Sequence, residues 1–122
     1  MQISLSDLSE RLKSLTGPDR RVDIEIAMLS GYRREINEAD RRVLWFDPKG
    51  TDPVRIPPYT ASVDHAREFA EFVAPDHVGG CSWERGMGSA KLNSGPYIEA
   101  STPALALCLA AVNELIQRQS RQ

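Results

Sequence analysis

Residues 102–118 read Thr102-Pro103-Ala104-Leu105-Ala106-Leu107-Cys108-Leu109-Ala110-Ala111-Val112-Asn113-Glu114-Leu115-Ile116-Gln117-Arg118. A hydroxyl able to cap, followed by proline at the first helical position, starts a helix. From Ala104 to Val112 that helix is apolar on nearly every side, and it becomes amphipathic only from Asn113 onward. Such a helix must be covered by protein for most of its length. The rest of the chain therefore has to supply the layers that enclose it.

Two amphipathic helices are predicted to do so. Leu5, Leu8, Leu12 and Leu15 recur at three- and four-residue intervals behind a capping Ser4, with Gly17-Pro18 as the stop. Val63, Ala66, Phe69, Ala70 and Val73 form a second stripe, capped by Thr60 or Ser62 and closed by Pro75. Asp19 to Ser30 fits both periods. Val22, Ile24, Ile26 and Met28 alternate like a strand, while Val22, Ile26 and Leu29 share a helical face. Asp19 as N-cap and Gly31 as stop decide for helix.

Arg42 to Phe46 is the clearest strand, running into an Asp47-Pro48-Lys49-Gly50 turn and placing Trp45 in the core. Tyr32 to Asp40 reads as a polar connection. Thr51 to Pro58 reads as a rigid connector, since Pro53, Pro57 and Pro58 leave at most an edge pairing at Val54-Arg55-Ile56. From Val78 to Ala100, short apolar pieces between glycines predict an antiparallel meander of two or three strands. The tail from Gln119 to Gln122 is expected to fray.

The chain has 122 residues, of which 41% are hydrophobic and 26% charged, with a net charge of -2; that composition is globular and fits one domain over residues 1–122. Scaling of area with mass predicts a folded surface of about 6,500 Å². No apolar run approaches the roughly 20 residues that cross a bilayer, and Met1-Gln2-Ile3-Ser4 begins no leader peptide. The expectation is a soluble cytoplasmic protein with no membrane contact. Residues 1–58 carry ten acids and ten bases, residues 59–122 seven and five. The doublets Arg20-Arg21, Arg33-Arg34 and Arg41-Arg42 all have acids close by. This even mixture argues against nonspecific nucleic-acid binding, which needs a basic surplus.

Cys81 and Cys108 are expected to be free, small hydrophobes. His65, His77 and Cys81 match no zinc spacing, so no metal is expected. A Cys81, His77 and Asp76 nucleophile set has no supporting motif, and Gly86-Met87-Gly88 reads as a turn instead of a phosphate loop. No cofactor and no catalytic residue is implied. For binding, Trp83 stands out beside Glu84, Arg85 and a glycine turn, each element suited to a partner- or ligand-facing position. Tyr59, Thr60 and Ser62 precede a helix start where free amides and hydroxyls could hold an anion, with Arg20 or Arg85 as countercharge.

Three stretches carry a family likeness: Leu8-x3-Leu12-x4-Gly17-Pro18-Asp19-Arg20-x2-Asp23-x2-Ile26-Ala27, Pro58-Tyr59-Thr60-Ala61-Ser62-x-Asp64-x-Ala66, and Thr102-Pro103-Ala104-Leu105-Ala106-Leu107-Cys108-x-Ala110-Ala111. With Trp45-Phe46-Asp47-Pro48 between the first two, the chain resembles the phage ABA sandwich domain of small bacteriophage and prophage proteins, which is similar in turn to the NinX-like accessory proteins. The resemblance implies an α/β domain of the α+β type: an α-β-α sandwich with a central, mostly antiparallel sheet and helices on both faces. It also favours helix for Asp19 to Ser30, and it transfers no catalytic residue. The function expected is that of a non-enzymatic phage accessory protein that binds a host or defence protein stoichiometrically in the host cytoplasm. The alternatives are a pocket for a small anionic ligand such as a nucleotide, and a small hydrolase or transferase.

Overall fold

The computed structural model describes residues 3–75, 79–92 and 95–120. The Asp76 and His77 of the nucleophile set, Val78 at the start of the meander, and Arg121-Gln122 of the tail lie outside the described residues. Among the described residues, four helices and six strands follow in the order α1 (Leu5–Ser14), α2 (Arg20–Leu29), β1 (Arg33–Ile36), β2 (Val43–Phe46), β3 (Pro53–Val54), α3 (Val63–Val73), β4 (Gly79–Glu84), β5 (Met87–Leu92), β6 (Ile98–Ala100) and α4 (Pro103–Ser120).

The all-round apolar stretch behaves as its composition requires. Every residue of α4 from Ala104 to Val112 is buried, enclosed by α1, α3 and the strands β4, β5 and β6. The Thr102 hydroxyl accepts from the Leu105 amide at 3.1 Å, the cap expected one residue before Pro103. Around α4 gather Leu8 and Leu12 of α1, Val22 and Ile26 of α2, and Phe69 and Val73 of α3. Ser4 caps α1, Asp19 caps α2, and α3 is capped by Ser62.

Helix, then, is the correct reading of Asp19 to Ser30. Gly31 stops α2 in the left-handed region at φ +96°, where a Cβ would be strained. α1 ends earlier than its sequence suggests. Leu15 is already extended at φ -71°, ψ 140°, so Gly17-Pro18 follows the helix without forming its cap.

The structure differs from the expected polar connection at 32–40, since Arg33–Ile36 is a strand. All four of its residues are exposed, so no hydrophobic alternation marks it. It forms because β2 needs a partner along that edge, and the register sets Arg33 opposite Phe46, with the Arg33 guanidinium 5.6 Å from the Phe46 ring centroid. Trp45 is half-buried against the core, and Phe46 is the buried aromatic.

The fold is mixed α+β with helices packed on antiparallel sheets. Its strands fall into two sheets of three, β1-β2-β3 and β4-β5-β6, instead of one central sheet. The division has a cause in the chain: β3 is two residues long, begins with Pro53, and is followed by Pro57 and Pro58, which cannot donate to a further ladder. α4 covers the face of the second sheet that carries Gly88 and Ala90, and the face with Ser82 and Glu99 meets solvent. The accessible surface is 7876 Å². That exceeds the expectation from mass alone. Among the described residues no helix is long and apolar enough to cross a membrane.

Candidate functional site

The residues singled out for binding separate into two places. The first is the joint between α2 and the segment entering α3. Asp19 accepts from the Arg21 amide at 2.8 Å and the Val22 amide at 3.2 Å, which fixes the first turn of α2. One turn on, Asp23 points inward, its side chain 1% exposed. Thr60 supplies Asp23 Oδ1 with two donors, its amide at 2.8 Å and its hydroxyl at 2.8 Å. Arg20 Nη1 reaches Asp23 Oδ2 at 3.0 Å, and Arg20 Nη2 donates to the Ile56 carbonyl at 2.9 Å. The Thr60 oxygen in turn accepts from the Asp19 amide at 2.9 Å. A buried carboxylate is tolerable only with this degree of pairing.

Of the residues in the anion-site reading, this joint brings Arg20 and Thr60 together, and the anion they hold is the chain's own Asp23. Tyr59 is buried, its ring edge-on to Phe69 with centroids 6.0 Å apart. Ser62 is engaged as the α3 cap, accepting from the His65 amide at 3.3 Å. Burial pushes the Tyr59 phenol well above its ordinary range. It does the same to the Cys108 thiol, where the negative charge of Asp23 adds to the effect. That thiol lies 3.5 Å from the Tyr59 carbonyl and is no nucleophile, because the thiolate is the reactive form.

The second place is the end of β4. Trp83 is 78% exposed, the largest exposure of any large hydrophobic side chain described. It stands directly opposite Gly88 of β5, where a Cβ would come within 2.2 Å of the Pro103 nitrogen. The start of α4 therefore rests on bare backbone at Gly88. Residues opposite each other share a sheet face, so Trp83 emerges on the α4 side and overhangs into solvent. Arg85 is exposed in the turn that follows, with Gly86 at φ +77° reversing the chain. Two residues before Trp83 on the same face, Cys81 is free and half-buried.

Two side-chain pairings of the surface are not visible in the sequence. On the solvent face of the same sheet, Lys91 lies 4.9 Å from the Tyr97 ring centroid and the Ser82 and Ser89 hydroxyls meet at 2.6 Å. Tyr97 is 72% exposed. Period-two alternation places Gly80, Ser82, Ser89 and Lys91 together on that face, a signal that needs the register of β4 on β5 before it can be used. The importance of Asp23 was legible in principle. It precedes Ile26, Ala27 and Ser30 at three, four and seven residues, all of them buried, which puts a carboxylate on the inward face. Among the described residues no group of three His, Cys, Asp or Glu could hold a metal ion.

Compared with protein families, with curated proteins and with solved structures, the chain finds no match in any of the three.

Proposed function

We propose that this chain is a phage-type accessory protein, not an enzyme, that acts stoichiometrically by binding a host or defence protein through the end of β4. The observation that carries the reading is Trp83, which is 78% exposed on β4, with Arg85 just beyond the end of the strand. Burying an exposed tryptophan offers a large apolar gain, and tryptophan and arginine are the residue types that most often dominate the energy of a protein interface. The phage context rests on the family likeness of the three sequence stretches. A tagged chain captured from host lysate should retain a partner in stoichiometric amount, and Trp83→Ala with Arg85→Ala should lose it while the melting temperature stays unchanged. Equal retention by the double variant would refute the role of this surface.

A second reading, capture of a small anionic ligand such as a nucleotide, is favoured by the hollow on the solvent face of the sheet. It has a volume of about 460 Å³ and is lined by Gly79, Gly80, Ser82, Ser89, Lys91 and Tyr97, with a cation and two hydroxyls in reach. Thermal-shift screening against nucleotides tests it, since a ligand that binds only the native state raises apparent stability. Stabilisation that disappears in Lys91→Ala would support this reading.

A further inference from the structure

The two sheets have four edges, and three are closed to further pairing by devices that proteins use against edge-to-edge association. β1 carries Arg33, Arg34 and Glu35 in a row, β3 is two residues long with Pro53 as its first, and β6 is three residues long. β4 is the fourth edge. It runs for six residues, Gly79–Glu84, with no proline and one charged side chain, Glu84, at its last position on the sheet face away from Cys81 and Trp83. Along it lies a groove of about 140 Å³, lined by Val63 and Ala70 of α3, Ala74, Leu107 of α4 and the residues Gly79 to Cys81. Ala74, just past the end of α3, and Gly79, the first residue of β4, both line it, so β4 runs back alongside the helix that precedes it.

We propose that β4 receives one extended segment of the protein partner as an added strand, with alternate side chains of that segment seated in the groove between β4 and α3. This rests on the reading of the chain as a protein-binding module and specifies its mode. The unpaired main chain of β4 calls for a strand, because only a strand satisfies a row of N–H and C=O groups. A second copy pairing its own β4 along this edge is the rival occupant, and a dimer of the chain alone in light scattering would overturn the proposal.

The groove is close to the roughly 150 Å³ known to accommodate benzene, so it suits one branched aliphatic or phenyl side chain. Trp83, on the same face two residues beyond Cys81, offers a platform for a second. Arg67 and Glu71 neutralise one another at 2.8 Å on the groove wall, while Arg85 is exposed at the far end of β4. The segment that fits has apolar residues at alternate positions, no charge between them, and a carboxylate at the end that passes Arg85.

The full chain would be titrated with a set of acetylated, amidated peptides of the form ETXTXTX, where X is valine, leucine, isoleucine or phenylalanine, and hydrogen exchange followed residue by residue. At least one peptide should slow exchange at β4 amides by about tenfold. A peptide of the same composition with its apolar residues in one run should not, nor should one N-methylated at alternate positions. Trp83→Ala, at an exposed position, should weaken the effect severalfold without lowering the melting temperature. Unchanged β4 exchange with the whole set at millimolar concentration, or equal protection by the N-methylated peptide, overturns strand addition. If capture of a lysate protein still depends on Trp83 in that case, the binding reading stands and only its mode fails; if capture also fails, both fall.

Discussion

The joint at Asp23 and the end of β4 contain the same kinds of residue and use them in opposite ways. Each has an arginine, an aromatic ring and hydroxyls close together. At the joint, Arg20 and Thr60 converge on one carboxylate and Tyr59 is turned into the core. At β4, Trp83 and Arg85 face solvent, and the nearby Ser82 and Ser89 hydroxyls bond across the ladder to each other. What separates the two is whether a buried acid is present to claim the donors. Donors that would attract a ligand if left open become structural once Asp23 occupies them, so chemical suitability for an anion does not by itself make a site.

The sharpest break in that comparison is Asp23→Ala. It leaves the Thr60 amide without its acceptor, leaves the Thr60 hydroxyl only the Asp19 carbonyl at 3.3 Å, and strips Arg20 of its ion pair. Because the Arg20 side chain is 56% exposed, its electrostatic share is screened and the unsatisfied Thr60 amide dominates. The expected loss is about 3 kcal/mol, read from the denaturant midpoint, with partner binding retained by the folded fraction. A loss below about 0.5 kcal/mol would mean that the joint is no more than a surface contact. Close behind is Gly88→Ala. Its Cβ would lie 2.2 Å from the Pro103 nitrogen and 2.4 Å from the Thr102 carbonyl carbon, both backbone, so α4 must lift from β5. Overpacking of this kind is expected to cost about 3 kcal/mol. Unlike the change at the joint, it should also perturb binding, because Gly88 stands opposite Trp83.

A smaller effect concerns alkaline pH. The fold holds Cys108 as a thiol and Tyr59 as a phenol, with the affinity of both for their protons raised by burial. Stability from a raised folded-state value is complete below the unfolded value and declines as pH rises above it. The denaturant midpoint should therefore be flat up to about pH 8.5, then fall as thiolate and, above about pH 10, phenolate form in the unfolded chain. Cys108→Ala should flatten the first part of that decline and leave the second. A midpoint that rises between pH 9 and 11 would contradict the burial of both groups.

How far the sequence was legible follows from which patterns are local. α4 announces itself because nine consecutive buried residues, Ala104 to Val112, are apolar all round and begin at a cap-proline pair. α1 and α3 show their stripes, and α2 was decided by its flanking Asp19 and Gly31. β1 left no trace, since Arg33–Ile36 is exposed throughout and is recruited by β2 from a distance. Of the candidate site, the residue types at β4 were legible, with Trp83 a candidate for a partner- or ligand-facing position, but the extent of its exposure was not. The loss of Thr60 to Asp23 was not, because the two are 37 positions apart and meet only once α2 docks beside the start of α3. Nor could a sequence show that β4 is a sheet edge, which depends on β5 lying between β4 and β6.

The smallest expected change in stability is at Trp83, and there the comparison is sharpest. A side chain 78% exposed contributes little to the native state it belongs to. Trp83→Ala should shift stability by no more than about 0.5 kcal/mol. A tryptophan that anchors an interface should nonetheless cost about 2 kcal/mol or more of binding energy when truncated, which is roughly thirtyfold in affinity. The ratio of the two effects is the diagnostic: large on binding with none on folding at Trp83, large on folding with none on intrinsic affinity at Asp23. If Trp83→Ala instead destabilised the fold by about 2 kcal/mol, its exposed ring would have to cover the start of α4 in solution. The end of β4 would then be a second structural joint, and the distinction between the two regions would collapse.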